Sequence, residues 1–411
     1  MGSRGSAGRA AQSRSSIANP LHALRAAYLL YRWRNRRKAG RGIRARVAHP
    51  AEFLTALDAA GVRNVVMRWW DEVPLTRAEA ASMPGDVDVL VDDDAGRSAA
   101  WIAAGMGGAA AVELRSVTGE VGAFAGVPYY PPAFASEALE RRVRHERGFA
   151  IPHPEHRLPL VLFHLCYQKA EKSGLPTGVG LPTGEAKRDY AAKLRALAAD
   201  EGAALPEPLT LAALHAELQR LGWDMQLDLL VRWPIQSPWI THLVDEARAR
   251  YDAAAAAAPE LIVFVFRSDV TDALREIALR RLAEWFDVLE TGELDAAQRR
   301  RCLRHLRGGS WTSRRGRETV GPTHYAVVND RRPEPVTDPR IRETQPHVTN
   351  QRVRLKHALR EDLRAAAETA GSRCRHALHS SDNRHEAMHF LEVIFGPAFE
   401  QKVAEYAEQT G

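Results

Sequence analysis

The chain has 411 residues, is 45% hydrophobic and 26% charged, and carries a net charge of +6, a composition typical of a globular protein with two or three domains. No apolar run reaches the roughly 18 residues that cross a bilayer, and the N-terminus has no signal-peptide core. The three cysteines, Cys166, Cys302 and Cys374, match neither a disulfide framework nor a zinc-site spacing, which predicts a reducing, cytoplasmic location.

The positive charge is concentrated at the N-terminus, where the first 46 residues hold eleven arginines, one lysine and no acidic residue. Residues 1–18 are rich in glycine, serine and arginine, which predicts disorder. Residues 20–38 predict a basic amphipathic helix that either contacts an anionic membrane peripherally or docks on its own domain with a solvated charged end. No nucleic-acid-binding module is recognisable, so nucleic acid is not an expected partner. The apolar positions at helical spacing are Leu21, Leu24, Tyr28 and Tyr31.

Hydrophobic periodicity predicts the elements that follow. In an α/β domain over residues 47–150, we expect helices at 50–60 and 96–105 and strands at 64–68, 85–91 and 110–115. Residues 151–255 read as mainly helical, with helices at 160–170, 185–199, 209–221 and 227–233 and a hinge or short helix at 252–259. A buried strand at 261–266 begins another α/β domain, with helices at 272–286, 352–370 and 383–395 and a strand at 323–328.

Two aspartates alternate with valines in the predicted strand 85–91. The period of two puts Asp86 and Asp88 on one face, about 7 Å apart. Two anions at that separation favour a cation between them, and a divalent metal is the usual one. The alternative is a strand end that enters solvent, because three further aspartates follow at residues 92–94.

Glu113 supplies a third carboxylate on the next predicted strand. Phosphoryl and nucleotidyl transfer use one or two Mg²⁺ ions to neutralise a triphosphate, and such ions need about three carboxylates from adjacent strands. The alternative is that Glu113 simply occupies an exposed strand position.

The order of these motifs resembles the nucleotidyltransferase superfamily, which has the polymerase-β-like fold. The matching motifs are Val65-Val66-Met67-Arg68, Gly85-Asp86-Val87-Asp88-Val89-Leu90-Val91 and Val112-Glu113-Leu114-Arg115, and the resemblance covers roughly residues 50–180, closest to an uncharacterised bacterial branch. It implies that Asp86, Asp88 and Glu113 bind Mg²⁺ together with ATP or another nucleoside triphosphate. Two departures are the missing Gly-Ser pair, for which Arg68 could substitute by charge, and glutamate as the third acid.

The predicted helix 160–170 carries two polar residues on an apolar sequence. His164 fits a hydrogen-bonded core histidine. Lys169 is harder to bury without an anion and is a candidate phosphate contact.

A histidine near the C-terminus gives a second candidate site. His379 precedes Ser381 and Asp382 and a helix capped by Asp382 or Asn383. A neutral imidazole is nucleophilic near pH 7 and can accept a phosphoryl group. The alternative is ordinary helix-cap chemistry in a chain that has 16 histidines.

This stretch resembles nucleoside diphosphate kinase over about residues 260–397, which implies a ferredoxin-like fold. The family's Arg-Asn-x-x-His-Gly-Ser-Asp motif corresponds to Arg375-His376-Ala377-Leu378-His379-Ser380-Ser381-Asp382. The resemblance implies a phosphohistidine at His379. The further nucleotide-binding positions that it implies are His376, Ser381, Asp382, Arg267 in Arg267-Ser268-Asp269, and Arg360 in Leu359-Arg360-Glu361-Asp362.

This domain also departs from the kinase pattern. Arg267 stands where the family has lysine, His376 stands where it has asparagine, and residues 331–351 form a proline- and arginine-rich insert. A remodelled kinase, a phosphotransferase with another acceptor and a nucleotide-binding module without turnover are therefore all open. A basic loop with Arg314, Arg315 and Arg317 lies nearby in the sequence and could contact phosphates or be solvated.

The sequence thus predicts an α/β (α+β) protein that is a Mg²⁺-dependent nucleotidyltransferase with an unidentified acceptor, coupled to a kinase-like domain. The alternative is a nucleotide-binding regulatory or scaffold protein whose kinase-like domain is catalytically silent. The predicted parts are residues 1–46 (basic arm), 47–150 (nucleotidyltransferase-like), 151–255 (helical), 260–397 (kinase-like) and 398–411 (tail).

Overall fold

The computed structural model describes residues 20–39, 41–83, 85–124, 127–309, 311, 321–372, 374 and 377–410. The architecture is mixed α/β with three sheets, as the sequence predicts at that level. None of the described helices combines the length and the apolar character needed to cross a bilayer.

The elements up to residue 151 form one four-stranded sheet, a two-stranded hairpin and five helices in the described part of the chain. They are α1 (Pro20–Lys38), β1 (Ile43–Val47), α2 (Pro50–Ala59), β2 (Asn64–Val66), α3 (Arg77–Ser82), β3 (Asp86–Val91), α4 (Gly96–Gly105), β4 (Ala110–Ser116), α5 (Pro132–Glu140), β5 (Val143–Arg144) and β6 (Ala150–Ile151).

The first sheet has the strand order β1-β4-β3-β2. The two central strands, β3 and β4, are parallel, and the outer strands pair with them antiparallel. The edge strand β1 lies within the segment predicted as basic arm, so that prediction was wrong for residues 43–46. Alternate burial explains the strand, because Ile43, Ala45 and Val47 face the core while Arg44 and Arg46 are exposed.

The helix α1 is docked on the first sheet's domain, as one of the two interpretations predicts. Trp33 is buried and donates a hydrogen bond from Nε1 to the Arg44 carbonyl at 3.2 Å. The His22 ring lies 4.3 Å from the ring of Trp101 on α4. The apolar residues that predicted the helix are not the docked ones, because Leu24 is 66% exposed.

The next elements are helical, and all but the last of them pack on the same core as the first sheet. They are α6 (Pro154–Phe163), α7 (Tyr190–Asp200), α8 (Leu211–Leu221), α9 (Leu227–Leu230), α10 (Pro238–Ala249) and α11 (Asp252–Ala257). A single hydrophobic cluster runs from Trp33 through Phe163 to Leu243, so the helices extend the N-terminal core. The predicted helix 160–170 is two pieces, because α6 ends at Phe163 and a π-helical turn follows over His164–Lys169.

The C-terminal elements form a second four-stranded sheet with helices on both faces. They are β7 (Leu261–Arg267), α12 (Asp272–Trp285), β8 (Asp287–Glu293), α13 (Ala296–His305), β9 (Pro322–Asn329), α14 (Pro339–Thr344), α15 (Leu355–Thr369), β10 (Leu378–Ser380), α16 (Arg384–Phe395) and α17 (Phe399–Thr410).

The second sheet is antiparallel throughout, with the order β10-β7-β9-β8. Helix α12 joins β7 to β8 across β9, and α15 joins β9 to β10 across β7, which makes two split β-α-β units. The central strand β7 is buried on both faces, as its continuous apolar run predicts. Phe264 and Phe266 pack in the core that contains α12 and α15, and Val263 and Val265 in the core that contains α16.

A buried histidine makes the stability of the helical layer pH-dependent. His215 on α8 has its Nδ1 2.7 Å from the Tyr167 hydroxyl, which accepts a hydrogen bond from the Met225 N–H and therefore donates to the imidazole. Burial, with a smaller contribution from His242, lowers the pKa of His215 to about 4 from 6.5. A protonated ring could not accept the hydroxyl hydrogen.

Lowering the pH from 6.5 towards 4 is expected to destabilise the protein at this site. In this range His215 binds a proton in the unfolded state but stays neutral in the folded state. The contribution is about 3 kcal/mol when fully developed. In His215→Gln the free energy of unfolding, measured by urea denaturation across this pH range, should fall less steeply. The half-buried His22→Gln serves as the control, and an unchanged slope in His215→Gln would contradict the assignment.

Candidate functional site

Three carboxylates converge on one face of the first sheet. Asp88 on β3 lies directly opposite Glu113 on the parallel strand β4, and Asp86 lies two residues earlier on the same face. One oxygen from each residue lies within 4.8 Å of the others. The strand period and the parallel register together produce this acid cluster, as the sequence predicts for the three positions. We refer to Asp86, Asp88 and Glu113 as the acid cluster.

Three arginines from three different elements contact the acid cluster. Arg68, which follows β2, places Nη2 2.6 Å from Asp88 Oδ2. Arg115 on β4 places Nη2 3.2 Å from Glu113 Oε2. The third is Arg44 on β1, with Nη2 2.9 Å from Asp86 Oδ2 and Nε 3.6 Å from Glu113 Oε1. Arg68 is a residue that the sequence motifs predict at this site, whereas no motif predicts the contacts of Arg44.

Burial disfavours the ionised forms of two of these carboxylates, even though arginines contact all three. Burial raises the pKa of Asp88, against the opposing attraction of Arg68, and the neighbouring Asp86 raises it further. Burial likewise raises the pKa of Glu113, against Arg115 and with the added repulsion of Asp88. A further cation between the three oxygens would stabilise their ionised forms.

The side chains of Glu113 and Arg115 pack closely against Gly42. A Cβ atom at Gly42 would lie 2.1 Å from Glu113 Oε1 and 2.8 Å from Arg115 Cζ. A side chain at position 42 would therefore displace the ends of both side chains from their ion pair.

An aromatic layer supports the arginines from behind. The guanidinium carbons of Arg68 and Arg115 lie 5.4 Å and 5.1 Å from the Tyr129 ring centroid, within cation–π range. The Tyr129 hydroxyl lies 3.1 Å from His164 Nδ1, which is also 2.8 Å from Gln168 Oε1. Burial, followed by the repulsion of Arg68, lowers the pKa of His164 well below its usual range. His164 is thus a neutral core residue that orients this layer.

Lys169 stands at the edge of the same region. Its ammonium lies 5.7 Å from the Tyr190 ring centroid, at the end of the π-helical turn. The charge of Lys169 is among those that lower the pKa of Asp88. The position is compatible with the predicted phosphate contact, although the side chain makes no ion pair with the acid cluster within the described residues.

A second charged cluster lies where the C-terminal domain meets the helical layer. Asp382 forms close ion pairs with Lys356 on α15 and with Arg232, which follows α9. Arg307, which follows α13, places Nη2 3.5 Å from Asp382 Oδ2 and 3.0 Å from Glu386 Oε2. We call these five residues the Asp382 cluster. Asp382 is the only one of them that the motif predicts as a site residue, because its cationic partners come from distant segments.

The cap of α16 is one of the two residues that the sequence predicts, and the predicted serine also makes a structural contact. The N-cap of α16 is Asn383, whose side chain accepts from the Glu386 N–H, so Asp382 is left for the ion pairs. The Ser381 hydroxyl accepts from the Val263 N–H at 3.0 Å and therefore serves the pairing of β10 with β7. Its neighbour Ser380 has a buried hydroxyl with no hydrogen-bond partner in the described part of the chain.

The other predicted nucleotide contacts surround His379 on β10. The His379 ring packs edge-on against Trp311, with centroids 4.7 Å apart. Arg360 Nη2 donates to the Leu378 carbonyl at 2.9 Å, and Arg267 Nη2 donates to the Trp311 carbonyl at 3.1 Å. His376, Arg375 and the basic loop at residues 314–317 lie outside the described residues.

A cavity of about 850 Å³ opens beside these residues, between the turn at residues 128–132, the segment 228–236 and the second sheet's domain. We call it the junction cavity. Four cationic side chains line it against three carboxylates. Burial, and then the repulsion of Arg307 with that of other cations, lowers the pKa of Arg360 to about 10 and that of Lys356 well below its usual range. An anion in this cavity would therefore be stabilised. The cations are Arg232, Arg307, Lys356 and Arg360.

Two carboxylates of the Asp382 cluster form a potential metal-binding set with the neighbouring His347. Ligand atoms of His347, Asp382 and Glu386 lie within 4.8 Å of one another. Both carboxylates already pair with arginine or lysine. Cations of the chain thus fill the role that a metal would have here.

Removing the charge of Asp382 is expected to destabilise the protein by about 3–5 kcal/mol, because Lys356 and Arg232 would then be buried without their closest anion. We expect Asp382→Asn to lower the free energy of unfolding measured with urea. The double variant with Lys356→Met should recover part of that loss. If the losses in unfolding free energy from the two single changes simply added in the double variant, the ion pair would not be the cause of the destabilisation.

Comparison with known proteins finds no match: no protein-family model, no curated protein and no solved structure is similar to this chain. What the two clusters can do follows from their own geometry and charge.

Proposed function

We propose that this chain is a Mg²⁺-dependent nucleotidyltransferase that uses ATP or another nucleoside triphosphate and an acceptor not identified by the sequence. The observation that carries the proposal is the acid cluster: three carboxylates on adjacent strands, with ligand oxygens within 4.8 Å, surrounded by arginines. The resemblance of the motif order to the nucleotidyltransferase superfamily supports the same reading.

The residues present fit a divalent metal. Carboxylate oxygens are the ligands that Mg²⁺ prefers, and Asp86, Asp88 and Glu113 would hold it. A bound Mg²⁺ would neutralise triphosphate charge and favour deprotonation of the acceptor hydroxyl. The buried Nη1 of Arg68 has no hydrogen-bond partner among the described residues, and this N–H donor would suit a triphosphate oxygen beside the metal.

The arginines have two successive uses in this proposal. In the metal-free chain Arg44, Arg68 and Arg115 neutralise the carboxylates and hold them apart. When other positive charge neutralises the carboxylates, the guanidinium groups can turn to phosphate oxygens, which they bind through paired N–H donors. Lys169 adds a further positive charge at the edge.

The reaction follows from these roles. The acceptor hydroxyl attacks the α-phosphorus, the new P–O bond forms, and the bond to the pyrophosphate oxygen breaks, so pyrophosphate leaves. The proton of the acceptor hydroxyl passes to solvent water as the new bond forms.

Asp86→Asn and Asp88→Asn should each abolish Mg²⁺-dependent pyrophosphate release from a nucleoside triphosphate, a loss of at least about 100-fold, because each removes a ligand charge. Circular dichroism should show an unchanged fold. The exposed Asp94→Asn, three residues beyond β3, is the matched control and should retain activity. Full activity in either cluster variant would rule out the metal assignment.

A second candidate function concerns the C-terminal domain. Its strand order and two split β-α-β units are those of a ferredoxin-like fold, which supports the resemblance to nucleoside diphosphate kinase. His379 and Arg360 both line the junction cavity, whose cations favour a phosphate. A His379 nitrogen would attack the γ-phosphorus of ATP, forming an N–P bond while the bond to the ADP oxygen breaks. The alternative is a nucleotide-binding regulatory or scaffold role without turnover.

Incubation with ATP labelled on the γ-phosphate separates the two possibilities. A phosphohistidine predicts acid-labile label on the protein that His379→Ala loses. The control His357→Ala, which changes another histidine of the same cavity, should keep it. Nucleotide binding by calorimetry with no label at all would support the regulatory role and contradict phosphotransfer.

A further inference from the structure

The outer face of α1 carries exposed hydrophobic side chains. Eight large hydrophobic side chains are exposed in the described part of the chain, and four of them lie on this one helix. A fifth, Trp101 on α4, adjoins them through its contact with His22. The four on α1 are Leu21, Leu24, Tyr28 and Tyr31, which are 64%, 66%, 59% and 65% exposed.

The helix geometry makes these four residues a continuous row. At 100° per residue, the spacings of three, four and three place them within one quarter of the helix circumference. The docked face, with Trp33 and Ala26, lies on the opposite side. The apolar row is therefore not needed to attach α1 to the domain, and it faces outward.

A row of arginines runs beside the apolar row. Arg25, Arg32 and Arg36 follow at spacings of seven and four, so they occupy the flank between the apolar row and the docked face. They line a groove of about 590 Å³ together with Arg44 and Arg46 of β1. The groove is lined by five arginines and by no acidic residue among the described ones. We call it the arginine groove.

The charges of the whole chain are also unevenly distributed, with the positive excess at the N-terminus. Of the 57 basic and 51 acidic residues, twelve basic and no acidic ones lie in residues 1–46. The rest of the chain therefore has 45 basic and 51 acidic residues. An anionic surface would attract the N-terminal face and repel the remainder, which orients the molecule.

We propose that α1 and the arginine groove form a docking surface for an anionic lipid bilayer. The apolar row would enter the boundary between headgroups and acyl chains, while Arg25, Arg32 and Arg46 contact lipid phosphates in the groove. A polyanion such as nucleic acid would use the arginines and leave the apolar row exposed. The pairing of the two rows favours the bilayer as the occupant.

Vesicle co-sedimentation of the full chain tests this proposal. The lipids are phosphatidylcholine alone and phosphatidylcholine with phosphatidylglycerol at three parts to one. We expect binding to the anionic vesicles and none to the neutral ones. Leu24→Ser with Tyr28→Ser should weaken binding at least about tenfold, since two apolar side chains no longer enter the lipid. Arg25→Gln with Arg32→Gln should weaken it to a similar degree.

Matched controls keep the test decisive. Leu75→Ser with Val179→Ser removes two exposed apolar side chains elsewhere and should bind like the unchanged protein. All substituted residues are exposed, so circular dichroism should report an intact fold. Undiminished vesicle binding after Leu24→Ser with Tyr28→Ser would overturn the proposal. So would double-stranded DNA that binds as tightly as the vesicles and depends on the arginines alone.

Discussion

The parallel pairing of β3 with β4 sets Asp88 beside Glu113. Several elements of the N-terminal domain supply positive charge to these carboxylates. Each carboxylate needs a cation, and Arg68, Arg115 and Arg44 arrive from three separate elements. The edge strand β1 carries Arg44, and Gly42 just before it leaves space for the ends of the Glu113 and Arg115 side chains. The sheet, its edge strand and the aromatic layer behind it thus all help to place arginines beside the three carboxylates.

The C-terminal domain also concentrates charge at one site, but there the excess charge is positive. Cations outnumber carboxylates around the junction cavity, and Asp382 neutralises two of them. Neither cluster is needed merely to fold a sheet, because buried ion pairs seldom stabilise more than apolar side chains of similar size. The position of one cluster on the wall of a cavity and of the other on a sheet face is consistent with two phosphate-binding sites.

Local periodicity made the acid cluster predictable, whereas partners distant in sequence could not be predicted. Alternation alone put Asp86 and Asp88 on one face, and the same rule identified Glu113. The strand β1 follows that rule too, but its alternate positions are arginines, so it resembled a continuation of the basic arm. Arg232 and Asp382 are 150 residues apart, and no spacing in the sequence relates them. The motif position Ser381 makes a contact that no motif predicts, because its hydroxyl accepts a hydrogen bond that joins β10 to β7.

The ion pair between Arg232 and Asp382 has a consequence for how the protein is made. The chain leaves the ribosome from its N-terminus, so the helical layer with Arg232 is complete before α16 emerges. The carboxylates of Asp382 and Glu386 therefore join an Arg232 side chain whose helical layer has already been synthesised. A C-terminal fragment made alone would lack Arg232 and would keep Lys356 and Arg307 as the cations that face Asp382. The N-terminal part of the chain thus completes a charge cluster of the C-terminal domain.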